Sequence, residues 1–91
     1  MLYMVIERFK GRSGRAVYER FREHGRMAPE GLRYVSSWIE TNFDRCFQIM
    51  ECDDPSLFSQ WTGHWADLMD FEIVPLMTSA DASARALSNS P

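Results

Sequence analysis

The strand-like stretches of this chain carry apolar residues on both faces, whereas its two helical stretches have one apolar face each. An antiparallel sheet usually keeps one of its faces wettable. Two helices can cover only one face, so we expect the other face to be covered by something outside the chain, most simply a second copy of it. A single domain of 91 residues buries about two-thirds or less of its unfolded surface, which also favours an oligomer.

The periodicity of apolar residues predicts six elements in one order. Strands are expected at residues 2–9, 32–41, 45–52 and 69–76, and helices at residues 14–26 and from Asp53 to about Leu68. Residues 42–44 are short enough for a hairpin, and Pro75 suits an edge strand better than a central one. The order predicts an α+β, ferredoxin-like βαββαβ fold with a four-stranded antiparallel sheet and both helices on one face.

The domain is expected to span residues 1–77. Residues 78–91 are rich in small side chains and are expected to form a tail that is a weak helix or disordered.

Composition excludes several classes of protein. The net charge of −3 argues against general nucleic-acid binding, and the basic residues Arg15, Arg20, Arg22 and Arg26 are interpreted as a solvated face of the first helix. No apolar stretch is long enough to cross a bilayer, and residues 1–9 do not have the pattern of a signal peptide. A cytoplasmic protein without membrane contact is the default expectation.

The cysteines predict neither a disulfide nor a metal site. Cys46 and Cys52 are expected on one strand and its exit, about 20 Å apart, which is too far for a disulfide. Cys and His lack zinc-site spacing, and neither cysteine has an evident histidine partner for a nucleophilic role. We expect no metal and no cofactor.

Alternation along the strands gives a provisional assignment of the two sheet faces. The more uniformly apolar set is placed under the helices: Met4, Ile6, Val35, Ile39, Phe47, Ile49, Phe71 and Ile73. The mixed set is placed on the open face: Tyr3, Val5, Glu7, Tyr34, Ser36, Trp38, Cys46, Gln48, Met50, Glu72 and Val74. Aromatic walls with a few polar groups fit a ligand cavity. They also fit a dimer interface, in which Tyr and Trp are enriched, and the interface alone is the preferred interpretation.

Four segments carry a family resemblance: residues 1–9, residues 26–32, the Ser37-Trp38 pair and residues 45–51. Over roughly residues 1–76 the chain resembles a family of short bacterial proteins of unknown function, which is similar to the dimeric α/β-barrel superfamily. The resemblance implies a homodimer that pairs sheet to sheet around an interior cavity. That superfamily includes cofactor-independent monooxygenases of the antibiotic-biosynthesis type, isomerases and haem-degrading enzymes. Their active sites lie between sheet and helices. The resemblance does not extend to the site of the haem-degrading enzymes, which have an Asn on the first strand, a Trp at the end of the third strand and a His late in the second helix. This chain has Glu7 and Cys52 at the first two positions, and His64 comes about two turns before the third.

The candidate catalytic residues are Glu7 and His64. A carboxylate in an apolar strand must be paired, protonated or facing a cavity, so Glu7 is either a general base or the partner of Arg8 or Arg45. His64 is either a general base or haem ligand or an ordinary boundary residue. The candidate ligand-binding residues are Tyr3, Tyr34, Ser36, Trp38, Gln48 and Met50.

Three functions remain open. The first is a homodimer that binds a small apolar or aromatic molecule or serves only as an assembly module. The second is a cofactor-independent monooxygenase or isomerase, and the third is haem handling through His64.

Overall fold

The computed structural model describes residues 1–88 and confirms the predicted α+β order, with one helix more. The elements are β1 (Leu2–Phe9), α1 (Gly14–His24), β2 (Arg33–Ile39), β3 (Arg45–Glu51), α2 (Leu57–Thr62), β4 (Met69–Leu76) and α3 (Ser79–Ser88). The four strands form one antiparallel sheet in the order β2-β3-β1-β4. β4 is an edge strand, as Pro75 predicted, because proline lacks the N–H that a central strand needs.

Glycine ends α1 two residues earlier than predicted. Gly25 has a φ of 70°, a conformation that costs glycine little, and its N–H donates to the carbonyl of Phe21 at 2.7 Å. The following residues 25–32 form an irregular connection to β2, with a turn at residues 30–31.

The second helical stretch is regular over a shorter range than its periodicity predicts. α2 ends at Thr62, and residues 63–68 continue as turns with i to i+3 hydrogen bonds from His64 to Trp61 and from Trp65 to Thr62. These turns keep Trp61 and Trp65 on the buried side of the segment. The three-to-four-residue spacing therefore identified the buried residues correctly, although only its first part is α-helix.

The hairpin at residues 42–44 joins β2 and β3 as predicted. The side chain of Asn42 accepts a hydrogen bond from the N–H of Asp44 at 2.9 Å, and Phe43 adopts a left-handed φ of 62°. The carbonyl of Asp44 accepts from the N–H of Phe9, which fixes the hairpin against the end of β1.

The provisional face assignment was wrong for β1 and β3. The side chains under α1 and α2 are Tyr3, Val5 and Glu7 of β1 and Cys46, Gln48 and Met50 of β3, all of them buried. Met4, Ile6, Phe47 and Ile49 alternate with these and lie on the other face. Both sets of side chains are apolar enough to be buried. The criterion of choosing the more uniformly apolar set therefore could not identify the face that the helices cover. The large rings of Phe58, Trp61 and Trp65 complete the core on the helix side.

The face assignment was partly right for β4 and β2. Phe71 and Ile73 of β4 pack on the core under the helices, as predicted. In β2 the register shifts between Tyr34 and Ser36, so simple alternation fails there. Ser36 and Trp38 pair with Ile49 and Phe47 and lie on the open face, whereas Tyr34 pairs with Met50 and lies on the helix side.

The open face, defined here by Met4, Ile6, Trp38, Phe47, Ile49 and Val74, is apolar across its centre. Trp38 is 59% exposed, and the other five side chains are half-buried. Arg8, Glu51, Asp70 and Glu72 lie around its margins.

Both cysteines are free and buried, which confirms that they do not form a disulfide. α3 takes the first of the two states expected for the tail, a helix, and none of its described residues is buried. The rest of the tail, residues 89–91, lies outside the described residues. Among residues 1–88, no helix combines the length and hydropathy that a bilayer crossing requires.

Candidate functional site

A partly open cavity of about 210 Å³ lies between the sheet and the helices. Its floor is formed by Glu7 of β1 and by Cys46 and Gln48 of β3. Its walls are mainly apolar and include Val17 and Phe21 of α1, Trp61 and Trp65 of the second helical segment, and Met69 at the start of β4. An engineered apolar cavity of about 150 Å³ holds benzene, so this one has room for a single substituted ring.

The amide of Gln48 on the cavity floor has a buried donor without a hydrogen-bond partner among residues 1–88. Gln48 is 4% exposed, and its Oε1 accepts a hydrogen bond from Nε of Arg26 at 3.1 Å. Because arginine nitrogens only donate, this bond assigns the oxygen to the Arg26 side and the NH₂ to the other side. In the described part of the chain, Nε2 is buried without a hydrogen-bond partner.

Arg26 is held by contacts with three aromatic residues, two of which are remote in sequence. Its carbonyl accepts the indole N–H of Trp61 at 3.0 Å and that of Trp65 at 3.1 Å. Its guanidinium lies 3.7 Å from the centroid of the Tyr34 ring, within the range of a cation–π interaction. The next residue, Met27, has a left-handed φ of 62°, a conformation that costs a non-glycine residue about 1–2 kcal/mol. The two indole bonds help to hold this turn in place.

Glu7 is a buried carboxyl group on the cavity floor, only 7% exposed. Burial raises its pKa above the ordinary value of 4.5, while the neighbouring Cys46 thiol and the charge of Arg26 oppose the rise. Among residues 1–88, no backbone or side-chain N–H or hydroxyl group donates a hydrogen bond to this carboxylate. The Cys46 thiol is its side-chain hydrogen-bond partner, and the carboxylate has further lone pairs that can accept from a bound molecule.

Neither arginine that the sequence suggested as a partner of Glu7 serves as one. Arg45 forms a bidentate pair with Glu40, at 2.6 and 3.1 Å. Arg8 and Arg45 are paired with each other across β1 and β3 at the open face, because they alternate with the buried residues Glu7 and Cys46. The ion-pair interpretation of Glu7 with these two residues was wrong for this reason.

Cys46 lies opposite Glu7 in the β1–β3 register. Burial, and then the adjacent carboxylate, raise the pKa of its thiol to about 12. A thiol that stays protonated near neutral pH is a poor nucleophile and a poor metal ligand. Cys46 therefore lines the cavity with a neutral thiol, which is a weak hydrogen-bond donor.

The structure brings together only two of the eight predicted site residues, Glu7 and Gln48. Tyr3 is buried in the core, where its ring meets Phe58 edge-on at a centroid distance of 5.0 Å, and Met50 is fully buried. The ring of Tyr34 is exposed and packs against the guanidinium of Arg26. The other three lie away from the cavity.

Ser36 and Trp38 are on the open face of the sheet. The side chain of His64 is exposed and does not line the cavity. No observation therefore connects His64 with the cavity chemistry or with haem.

Sequence reasoning missed Arg26, Trp61 and Trp65 as site residues. The two tryptophans carry a signal, their four-residue spacing, but that spacing is equally typical of an ordinary core. Arg26 was interpreted as part of a solvated basic face, and no local pattern distinguishes it from the other arginines. Within residues 1–88, no three His, Cys, Asp or Glu side chains are grouped so as to hold a metal ion.

A family model described as "Domain of unknown function (DUF3303)" matches residues 1–89. The chain therefore belongs to this family. No curated protein and no solved structure matched the chain.

Proposed function

We propose that this member of the DUF3303 family binds a small molecule in the cavity between its sheet and its helices. The cavity combines apolar aromatic walls with a few polar groups on one side, which is the usual composition of a small-molecule site. Its volume of about 210 Å³ fits a ligand of one ring with small substituents better than a large cofactor.

The unpartnered Nε2 of Gln48 is the single observation that carries this proposal. A buried donor without an acceptor costs about 1–3 kcal/mol, and buried amides in proteins are almost always bonded. Arg26 prevents the simplest remedy, a rotation of the amide by half a turn, because that rotation would bring the NH₂ group of Gln48 against the Nε–H donor of Arg26. An acceptor inside the cavity supplies the missing bond.

We also propose that the protein is a homodimer that pairs through the open face. An apolar centre that includes an exposed tryptophan, surrounded by charged margins, has the anatomy of a protein–protein interface. A face on one domain that pairs with the same face on a second copy closes the assembly by twofold symmetry. The dimer would then resemble the paired sheets of the dimeric α/β-barrel superfamily.

Proton transfer is a second candidate, which the position of Glu7 favours. A carboxyl group whose pKa is raised by burial at the floor of a cavity is suited to act as a general base. Glu7 would take a proton from a carbon next to a ligand carbonyl and return it at another carbon, an isomerisation that needs no cofactor. A monooxygenase reaction at the same site would require dioxygen as a second substrate.

The three tryptophans allow a direct test of ligand binding. Trp61 and Trp65 line the cavity, whereas Trp38 lies on the opposite face of the sheet and is an internal control. We would titrate phenol and toluene separately into ¹⁵N-labelled full-length protein and follow the three indole N–H resonances. The proposal expects saturable shifts of the Trp61 and Trp65 resonances with at least one ligand and a constant Trp38 resonance. It is wrong if neither ligand moves the cavity indoles.

A further inference from the structure

Two of the polar groups that line the cavity, the Nε2 donor of Gln48 and the carboxyl group of Glu7, come from neighbouring strands. Glu7 lies opposite Cys46 in the β1–β3 register, so Gln48 is its diagonal neighbour on the same face. Diagonal neighbours across antiparallel strands are about 7–8 Å apart. Nε2 of Gln48 has no hydrogen-bond partner in the described chain, so it does not bond to the Glu7 carboxylate. Both side chains line the same cavity, where one ligand can contact both.

The bonding requirements of the two residues define the chemistry of the bridging group. Nε2 of Gln48 only donates, so the group must contain an acceptor. The ionised Glu7 carboxylate only accepts, and the Cys46 thiol supplies it with one weak donor, so it can accept a further hydrogen bond from the group. A carbonyl oxygen satisfies Gln48 alone. An ammonium group satisfies Glu7 alone and is repelled by the guanidinium that binds the same glutamine. A carboxylate is repelled by Glu7 if that residue is ionised. A hydroxyl group satisfies both residues with a single oxygen.

The rest of the cavity defines what the hydroxyl is attached to. Trp61, Trp65 and Met69 offer apolar surface, and methionine sulfur and indole rings pack well against a flat aromatic ring. A water molecule can bridge Gln48 and Glu7 but leaves the apolar walls without contact. A phenol occupies both parts of the cavity.

We propose that the cavity recognises a neutral single-ring phenol, whose hydroxyl oxygen accepts a hydrogen bond from Nε2 of Gln48 and whose O–H donates a hydrogen bond to the carboxylate of Glu7. The inference rests on the proposed function, since it names the ligand class of the same cavity. It differs from that proposal in requiring the hydroxyl, and the experiment is chosen to separate the two.

The experiment compares three ligands of similar size on the wild-type protein. Phenol, toluene and benzoate are titrated separately, and dissociation constants are taken from the shifts of the Trp61 and Trp65 indole resonances. Sites built to bond a hydroxyl discriminate strongly against an analogue that lacks it. We expect phenol to bind at least about tenfold more tightly than toluene, and benzoate to bind most weakly.

Gln48→Met provides the matched variant, because it keeps the length of the side chain and removes the donor. It should reduce the preference for phenol over toluene to less than about threefold while toluene still binds. The three-ligand comparison on wild-type protein gives a result even if this variant fails to fold.

Each outcome has one meaning. Toluene binding as tightly as phenol overturns the requirement for a hydroxyl and leaves the small-molecule site in place. Benzoate binding most tightly assigns the cavity to anions held by Arg26 and overturns the phenol inference. If none of the three ligands moves the cavity indoles, both the inference and the proposed function are wrong.

Discussion

Nε of Arg26 donates a hydrogen bond of 3.1 Å to Oε1 of Gln48, although the two residues are 22 positions apart in the chain. This bond joins the connection after α1 to the centre of the sheet. It also fixes the orientation of the glutamine amide, with Oε1 toward Arg26 and Nε2 on the other side.

Replacing Arg26 should destabilise the fold and release the glutamine amide. Arg26→Met keeps much of the aliphatic stem but leaves a buried carbonyl oxygen without its donor, so we expect the free energy of unfolding to fall by about 1–3 kcal/mol. Urea denaturation followed by tryptophan fluorescence measures the change. Arg22→Met is the matched control, because Arg22 is exposed on α1 and such surface changes stay within about 0.5 kcal/mol. Equal effects of the two variants would contradict the role of Arg26.

The two indoles that share the Arg26 carbonyl should show coupled effects. Trp61→Phe and Trp65→Phe each remove one donor, and the remaining indole still satisfies the oxygen. The double variant leaves that oxygen without either indole donor, so its loss of stability should exceed the sum of the single losses by about 0.5–3 kcal/mol. A double-mutant cycle in urea measures the difference. Strict additivity would mean that the shared carbonyl has no special role.

Trp38→Phe is the control for those variants, because it makes the same chemical change on the opposite face of the sheet. Because Trp38 does not contact the shared carbonyl, combining Trp38→Phe with Trp61→Phe or Trp65→Phe should give losses that add to within about 0.5 kcal/mol.

The raised pKa of Glu7 predicts that part of the stability is lost as pH rises. Between the ordinary value of 4.5 and its higher folded value, the folded state holds a proton that the unfolded state has released, so the free energy of unfolding falls. Glu7→Gln removes this loss. The free energy of unfolding of the variant, compared with that of wild type, should therefore be higher at about pH 7 than at about pH 4. Urea denaturation at both pH values measures the difference.

Glu40→Gln is a control with the opposite sign. Arg45 lowers the pKa of Glu40, so this carboxylate stabilises the fold above its unfolded pKa, and the contribution is lost as pH falls through the folded pKa. The variant should therefore be less stable than wild type at about pH 7 and closer to it at low pH. Parallel pH profiles for the two variants would refute the assignment of Glu7.

The proposed dimer predicts a specific sensitivity at the open face. Trp38→Glu places a charge at the apolar centre of that face, so sedimentation velocity at micromolar concentration should change from two subunits to one. Leu87→Glu, which changes an exposed apolar residue on α3, should leave the dimer intact. A wild-type protein that sediments as a single subunit would remove the dimer from the proposal while leaving the cavity within one chain.

The amino-acid sequence by itself determined the order of the elements. Period-two and period-three-to-four patterns located the strands and helices, and local chemistry set several boundaries: the hairpin around Phe43, the end of α1 at Gly25 and the edge position of Pro75. These features depend on backbone preferences within a few residues of each other, so they can be derived from the chain alone.

Only the tertiary structure decided which sheet face is covered and which residues line the cavity. Both faces of β1 and β3 are apolar, so hydrophobicity did not distinguish them, and the register shift in β2 reversed the alternation there. Hydrogen bonds hold Arg26 at the site, and its partners Gln48, Trp61 and Trp65 are 22, 35 and 39 residues away. Hydrogen bonds between segments so far apart depend on how the helices pack on the sheet, and no local pattern of side chains encodes that geometry.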